Sequence, residues 1–213
     1  MNHALNAILT THLVAVIRLD DYDEAVAVAR ALLEGGISVI EFSLTGTGAY
    51  AAIAATRATL KENVSVGVGT VLHPDDVQRA IDAGAEFVVT PVLKPEVIAT
   101  SKARGTTVIC GALTPTEALA AHEAGADLVK IFPGRALGPQ YIRDILAPLP
   151  MLRLVPTGGI GPDNLRSYLE AGAVAVGLGG ELVRKQSVAQ GDWASISAQA
   201  RACVAAVSGR GTQ

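Results

Sequence analysis

Residues Glu123–Ile131 read EAGADLVKI, and three other stretches repeat their plan: EGGISVIEF (Glu34–Phe42), DAGAEFVVT (Asp82–Thr90) and EAGAVAVGL (Glu170–Leu178). The aligned glycines, Gly36, Gly84, Gly125 and Gly172, recur at intervals of 48, 41 and 47 residues. Each stretch has the signature of a helix that ends, a glycine that caps it, and a short β-branched strand that follows. Self-similarity at such a period points to a repeated supersecondary unit.

Each interval has room for two strand–helix units, and each holds a further strand candidate: VSVGVGT from Val64, TTVICG from Thr106 and LRLVPTGG from Leu152. With LVAVIR from Leu13 the count reaches eight. Between the strands lie segments of helical period, such as DEAVAVARALLE (Asp23–Glu34), PDDVQRAIDAG (Pro74–Gly84) and PTEALAAHEAG (Pro115–Gly125). Several open on Pro and acidic residues, as helix starts do. Strands apolar on both faces and alternating with helices predict a parallel sheet. Eight such units in 213 residues predict an α/β fold, a closed (β/α)₈ barrel (TIM barrel) forming a single domain over residues 1–213. A doubly wound open sheet has fewer strands as a rule and explains the fourfold repeat less well. Segments at Asn2–Thr11 and Trp193–Val207 are expected to be capping helices, with Trp193, Ile196, Ala200 and Cys203 at core-facing spacing.

The repeat also aligns side chains. Lys130 and Glu41 each lie five residues beyond their glycine; Val89 and Gly177 are their counterparts in the other copies. These four belong to the even strands, and a barrel interior is layered with four side chains drawn from alternate strands. Equal offset then means equal height, and the second and sixth strands are opposite each other. If the offset points inward, Glu41 and Lys130 meet across the barrel axis. Two readings stay open here. One is an internal salt bridge, although a buried pair tends to lose in desolvation much of what it gains in attraction. The other is an amine from which burial strips the proton, freeing the lone pair for a carbonyl, beside a carboxylate that shuttles protons.

Composition bounds the rest. Half the residues are hydrophobic and the net charge is −3, with no basic stripe, so nucleic acid is not expected as a partner. Two cysteines, Cys110 and Cys203, give neither zinc spacing nor a disulfide framework, which suits a reducing cytoplasm. No signal peptide or membrane span is expected. His3, His12, His73 and His122 share no metal-ligand spacing, so no metal is expected. VPTGGIGPDN (Val155–Asn164) and VGLGGEL (Val176–Leu182) place the pairs Gly158–Gly159 and Gly179–Gly180 after the seventh and eighth strands, where barrels of this kind often bind phosphate. Arg18, Thr45, Thr70, Thr157 and Thr90–Pro91 end other strands at the same face, a cup suited to a carboxylate and hydroxyls. Arg135 is expected on a wet loop.

The ordered set VAVIR, EGGISVIEFSL, VGVGTVL, VTP, KIFPG, GPQYI, PTGGI and GLGGEL, spanning Leu13 to Val183, resembles the 2-keto-3-deoxy-6-phosphogluconate (KDPG) aldolases and their relatives acting on 2-keto-3-deoxy-6-phosphogalactonate (KDPGal) and 4-hydroxy-2-oxoglutarate. The resemblance implies class I aldolase chemistry without a cofactor, on a barrel that is usually a homotrimer. Lys130 of KIFP would form the Schiff base, and Glu41 of IEF would move protons through a water. Arg18 and Thr70 would hold the pyruvyl carboxylate, with Pro91 and Phe132 shaping the pocket. Thr157, Gly158, Gly159, Gly179 and Gly180 would serve the distal, phosphate-bearing half. The chain departs from the usual pattern at Thr45, where many KDPG aldolases have arginine, and at Gly180, where serine is common. Val68 adds bulk within GVGT. Carboxylate binding is then expected to lean on Arg18 or backbone, and Glu181 to point away from a phosphate or weaken its binding.

Overall fold

The computed structural model describes residues 3–209, and within them the strand register follows the repeat. The strands are β1 Leu13–Ile17, β2 Val39–Ser43, β3 Ser65–Gly69, β4 Phe87–Val89, β5 Thr107–Ala112, β6 Leu128–Ile131, β7 Leu154–Pro156 and β8 Val176–Leu178. They are parallel and pair in the order β7-β6-β5-β4-β3-β2-β1-β8. A bridge from Thr157 to Gly177 joins the two ends of the sheet and completes the (β/α)₈ barrel.

Helices α1 His3–Thr11, α2 Ala25–Glu34, α3 Ala49–Leu60, α4 Pro74–Asp82, α5 Pro95–Ala103, α6 Pro115–Glu123, α7 Gly138–Leu146, α8 Leu165–Glu170, α9 Lys185–Ala189 and α10 Trp193–Ser208 surround or cap it. Asn2, expected to open α1, lies outside the described residues. No helix among them is long and apolar enough to cross a membrane.

The four repeat glycines share one device. Gly36, Gly84, Gly125 and Gly172 have φ between 91° and 105°, a region that a side chain rarely tolerates. The glycine amide returns to the carbonyl three residues back, and the next amide reaches five back: Gly36 to Leu33 and Ile37 to Leu32 after α2, Gly125 to His122 and Ala126 to Ala121 after α6. This Schellman closure satisfies the last helical carbonyls and turns the chain into its strand at the same point each time. Identical closures start β2, β4, β6 and β8 in the same phase.

The sheet divides two apolar regions. Outside, strand residues such as Ala15, Ile40, Val66 and Val129 pack on the helices. Inside, Val39, Phe87, Leu128 and Ala175 form one cluster with Val14, Ile109 and Val155, and α1 plugs that end with Ala4, Leu5 and Ile8. Val39, Phe87 and Leu128 come from the even strands, and Ala175 immediately precedes β8. Two residues farther along those strands, on the same inner face, stand Glu41, Val89, Lys130 and Gly177.

Candidate active site

Glu41, Val89, Lys130 and Gly177 line one narrow space with Val14, Val16, Ile109, Val155 and Thr157. The second and sixth strands do bring the carboxylate and the amine together. Lys130 Nζ lies 4.0 Å from Glu41 Oε1, with the two side chains 5% and 2% exposed. That distance exceeds a hydrogen bond, and Oε1 has no hydrogen-bond partner. The space between the walls is about 10 Å³, on the order of one water site. Two unit charges 4 Å apart attract by roughly 4 kcal/mol at an effective dielectric of 20. Desolvation costs several kcal/mol per ion and is offset only by good hydrogen-bonding geometry. The pair has no such geometry. Burial pushes the Glu41 carboxyl above its ordinary value, and the nearby charges of Lys130 and Arg18 pull it back only in part. The arrangement therefore holds a proton-accepting group next to an amine, both screened from solvent. Lys130 Nζ also stands 5.5 Å from the Phe132 ring centroid, within cation–π range.

Glycines make this space. A Cβ on Gly69 would lie 1.7 Å from Glu41 Oε1, so the carboxylate occupies the place of the missing side chain. A Cβ on Gly177 would meet Thr157 Oγ1 at 2.2 Å, and one on Gly111 would meet the Pro91 backbone at 2.2 Å. The small residues of β3, β5 and β8 are thus fitted to partners across the inner face.

Above lies a cleft of about 530 Å³ walled by Arg18, Phe132, Thr157, Gly158, Gly159, Gly179 and Gly180, together with Arg135, Glu181, Arg184 and Lys185. Thr157 lines both this cleft and the inner space, so the two adjoin. Gly158 and Gly159 have φ of 99° and 70°. With no side chains on Gly158, Gly159, Gly179 and Gly180, this wall lets an anion come close to the backbone. Arg135 lies on an exposed loop, as expected, and its side chain also walls the cleft, packing where a Cβ on Gly159 would be, at 2.6 Å. The cause is non-local, because the Gly134 and Arg135 amides donate to the carbonyls of Thr157 and Gly158 and fold one loop over the other. Arg184 and Lys185 were not foreseen at all. Glu181 forms part of the cleft wall.

Thr45, Thr70 and Pro91 are not part of that wall. Thr45 and Thr70 meet instead at the ends of β2 and β3, where Ser43 Oγ lies 2.9 Å from Thr45 Oγ1 and 2.8 Å from Thr70 Oγ1. Ser43 was missed from sequence, although its place two residues beyond Glu41 puts it on the same inner face. Tyr22 ties this end together by donating to the carbonyls of Ser43 and Ile17, with its own hydroxyl pushed up to about 12, mainly by burial. Among the described residues no group of three or more His, Cys, Asp or Glu side chains is placed to hold a metal ion.

A model of the family described as KDPG and KHG aldolase matches residues 5–199. The chain is 38% identical to the 2-dehydro-3-deoxy-6-phosphogalactonate aldolase of Escherichia coli (strain K12), over 81% of this chain and 84% of that one. It is 38% identical to the 2-dehydro-3-deoxy-phosphogluconate aldolase of Treponema pallidum, over 90% and 91% respectively. Its fold superposes with a TM-score of 0.87 on KDPG aldolase from Legionella pneumophila, solved with pyruvate captured as a covalent carbinolamine intermediate. There the identity is 26%, over 94% of this chain and 97% of that one. A match of the whole barrel, strands and loops in order, has one consequence: this chain belongs to the KDPG and KHG aldolase family.

Proposed function

We propose that the protein is a class I aldolase that reversibly cleaves a 2-keto-3-deoxy-6-phospho sugar acid, gluconate- or galactonate-derived, to pyruvate and D-glyceraldehyde 3-phosphate. The observation that carries this proposal is the buried Lys130 opposed by a Glu41 oxygen that has no hydrogen-bond partner. Lys130 Nζ attacks the C2 carbonyl to give a carbinolamine. Glu41, through a water in the intervening space, assists loss of hydroxide as water, leaving an iminium ion. Glu41 then takes the C4 hydroxyl proton. The C3–C4 bond breaks, its electron pair passes into the iminium as an enamine, and the aldehyde leaves. Protonation at C3 and hydrolysis release pyruvate and regenerate the amine. No metal or cofactor enters these steps. The covalent pyruvate adduct of the Legionella pneumophila relative supports this route.

Arg18, with Thr45 and Thr70 at the strand ends, is assigned to the carboxylate, and Pro91 and Phe132 to the shape of the pocket. Thr157, Gly158, Gly159, Gly179 and Gly180 are assigned to the distal half, with the glycine amides nearest the phosphate. Arg18, Arg135 and Arg184 make the cleft electropositive against the one carboxylate of Glu181, which favours an anionic end group. A second reading, 4-hydroxy-2-oxoglutarate cleaved to pyruvate and glyoxylate, is favoured by Gly180, which offers no hydroxyl to a phosphate, and by Glu181 in the wall. Turnover of phosphorylated and unphosphorylated substrates separates the two. The phosphate reading expects kcat/KM to be higher for the phosphorylated acid, and Arg135→Ala to lower only that value, by about 10-fold, the scale of one hydrogen bond to a charged group. Equal kcat/KM for both substrates overturns it.

Residues 1–213 are read as one catalytic domain. A homotrimer is proposed because apolar side chains stay exposed on successive loops, Leu72 after β3, Val92 after β4 and Leu113 after β5. Sedimentation equilibrium should give three chains per particle; a monomer of 21.8 kDa would refute it. Two free, buried thiols, Cys110 and Cys203, suit a cytoplasmic setting.

A further inference from the structure

Ser43 ends β2 and is fully buried. Its hydroxyl is the middle of a chain, Thr45–Ser43–Thr70, with contacts of 2.9 and 2.8 Å. The Thr45 amide also donates to Ser43 Oγ at 3.4 Å. Thr70 is unusual in its own right, with a φ of 61°. A β-branched residue in the left-handed region is an outlier that costs on the order of 1–3 kcal/mol and persists only where its surroundings fix it. Its neighbours are fixed by backbone: Leu44 donates to the Gly69 carbonyl and Val71 to that of Val89. The contact with Ser43 then fixes the direction of the Thr70 hydroxyl.

Proton counting gives this chain a function. Three hydroxyls own three protons, and two contacts use two of them. If both threonines donated to Ser43, its oxygen would face three donors with two lone pairs, and its own buried proton would have no acceptor. Ser43 must therefore accept from one threonine and donate to the other. The threonine that accepts keeps its own proton free to donate outward. Thr45 is exposed and Thr70 half-buried, and Gly69, next to Thr70, is where the Glu41 carboxylate sits. An anion at the mouth above Glu41 draws the chain into one direction, Thr45 to Ser43 to Thr70 to the anion, each bond polarising the next.

We propose that Ser43 is a positioning residue for a substrate carboxylate: through the Thr45–Ser43–Thr70 chain it orients the Thr70 hydroxyl as a donor at the strand ends beside Glu41. This rests on the aldolase function proposed above, and names the residue that aims a donor at the carboxylate.

The test is deuterium exchange at the methyl group of pyruvate, compared with methyl pyruvate, whose ester carries no charge. Ser43→Ala is expected to raise KM for pyruvate about 10- to 100-fold, the scale of a hydrogen bond to a charged group, with kcat within about 3-fold of wild type. KM for methyl pyruvate should stay unchanged. Ser43→Thr, which restores a hydroxyl, should restore pyruvate KM. Thr70→Val, which keeps the branched shape, should reproduce the Ser43→Ala effect, and the double variant should be no worse than either single one. An unchanged pyruvate KM in Ser43→Ala overturns the proposal. So does an equal rise for both substrates, the outcome of a merely structural role. Failure of wild type to exchange pyruvate protons is a different result, and it overturns the aldolase function itself.

Discussion

Lys130→Ala is expected to lower aldol turnover by about 10⁴- to 10⁶-fold, the scale of removing a covalent nucleophile from an intact site. The loss should appear in kcat with the fold retained. Lys130 is 4% exposed and its aliphatic stem contributes to the wall of an interior space only about one water in size. Truncation leaves a cavity, whose cost in stability is the ordinary one for a large-to-small change, about 2–5 kcal/mol. It also removes a buried polar group, which works in the opposite direction. Circular dichroism and a melting curve on the same sample separate catalytic loss from unfolding. Turnover within about 10-fold of wild type would mean that some other group carries the reaction. Lys94 is no substitute, since it is paired with Glu96 outside the barrel, and Lys102 is bound to Asp127 at 2.7 Å.

Glu41→Gln is expected to cut turnover by about 10²- to 10⁴-fold, as loss of a general acid–base does. The amine remains, so the imine with pyruvate should still form in this variant, more slowly. The same variant carries a thermodynamic signature. The native carboxyl titrates above its ordinary value of 4.5 because burial disfavours the anion. From that value up to the elevated native one, the folded protein holds a proton that the unfolded chain has released. The stability of wild type relative to Glu41→Gln therefore falls as pH rises through this window, and is constant above it. Denaturant melts of both proteins at a series of pH values read the difference directly. A flat difference would place the carboxylate in a solvated setting, and unchanged turnover would remove it from the proton path.

The repeat made the register legible before any coordinates. One helix closure used four times sets the same phase into four strands, so a count of five residues from a glycine gave a common height and one shared face, which the structure shows to be the inner one. Glu41 and Lys130 could be paired across the axis for that reason. The glycine pairs of the seventh and eighth loops were legible because strand ends define the open face of a barrel. What escaped was non-local. Arg135 reads as a loop residue because nothing nearby in sequence reveals that its amide binds the Gly158 carbonyl. Arg184 and Lys185 follow a turn whose direction depends on packing. The left-handed Thr70 has no glycine or asparagine to announce it, and the Ser43 hydroxyl chain joins residues 27 positions apart. Ser43 itself was within reach, since a period of two from Glu41 leads to it.

The central claim is that Lys130 is the amine that bonds to the substrate carbonyl. Reduction with borohydride in the presence of pyruvate, followed by peptide mass mapping, tests it most directly. The expected result is one stable pyruvate-derived adduct on the peptide bearing Lys130 in wild type and in Glu41→Gln, and none in Lys130→Ala. An adduct on Lys94 or Lys102, or an undiminished adduct in Lys130→Ala, would contradict it.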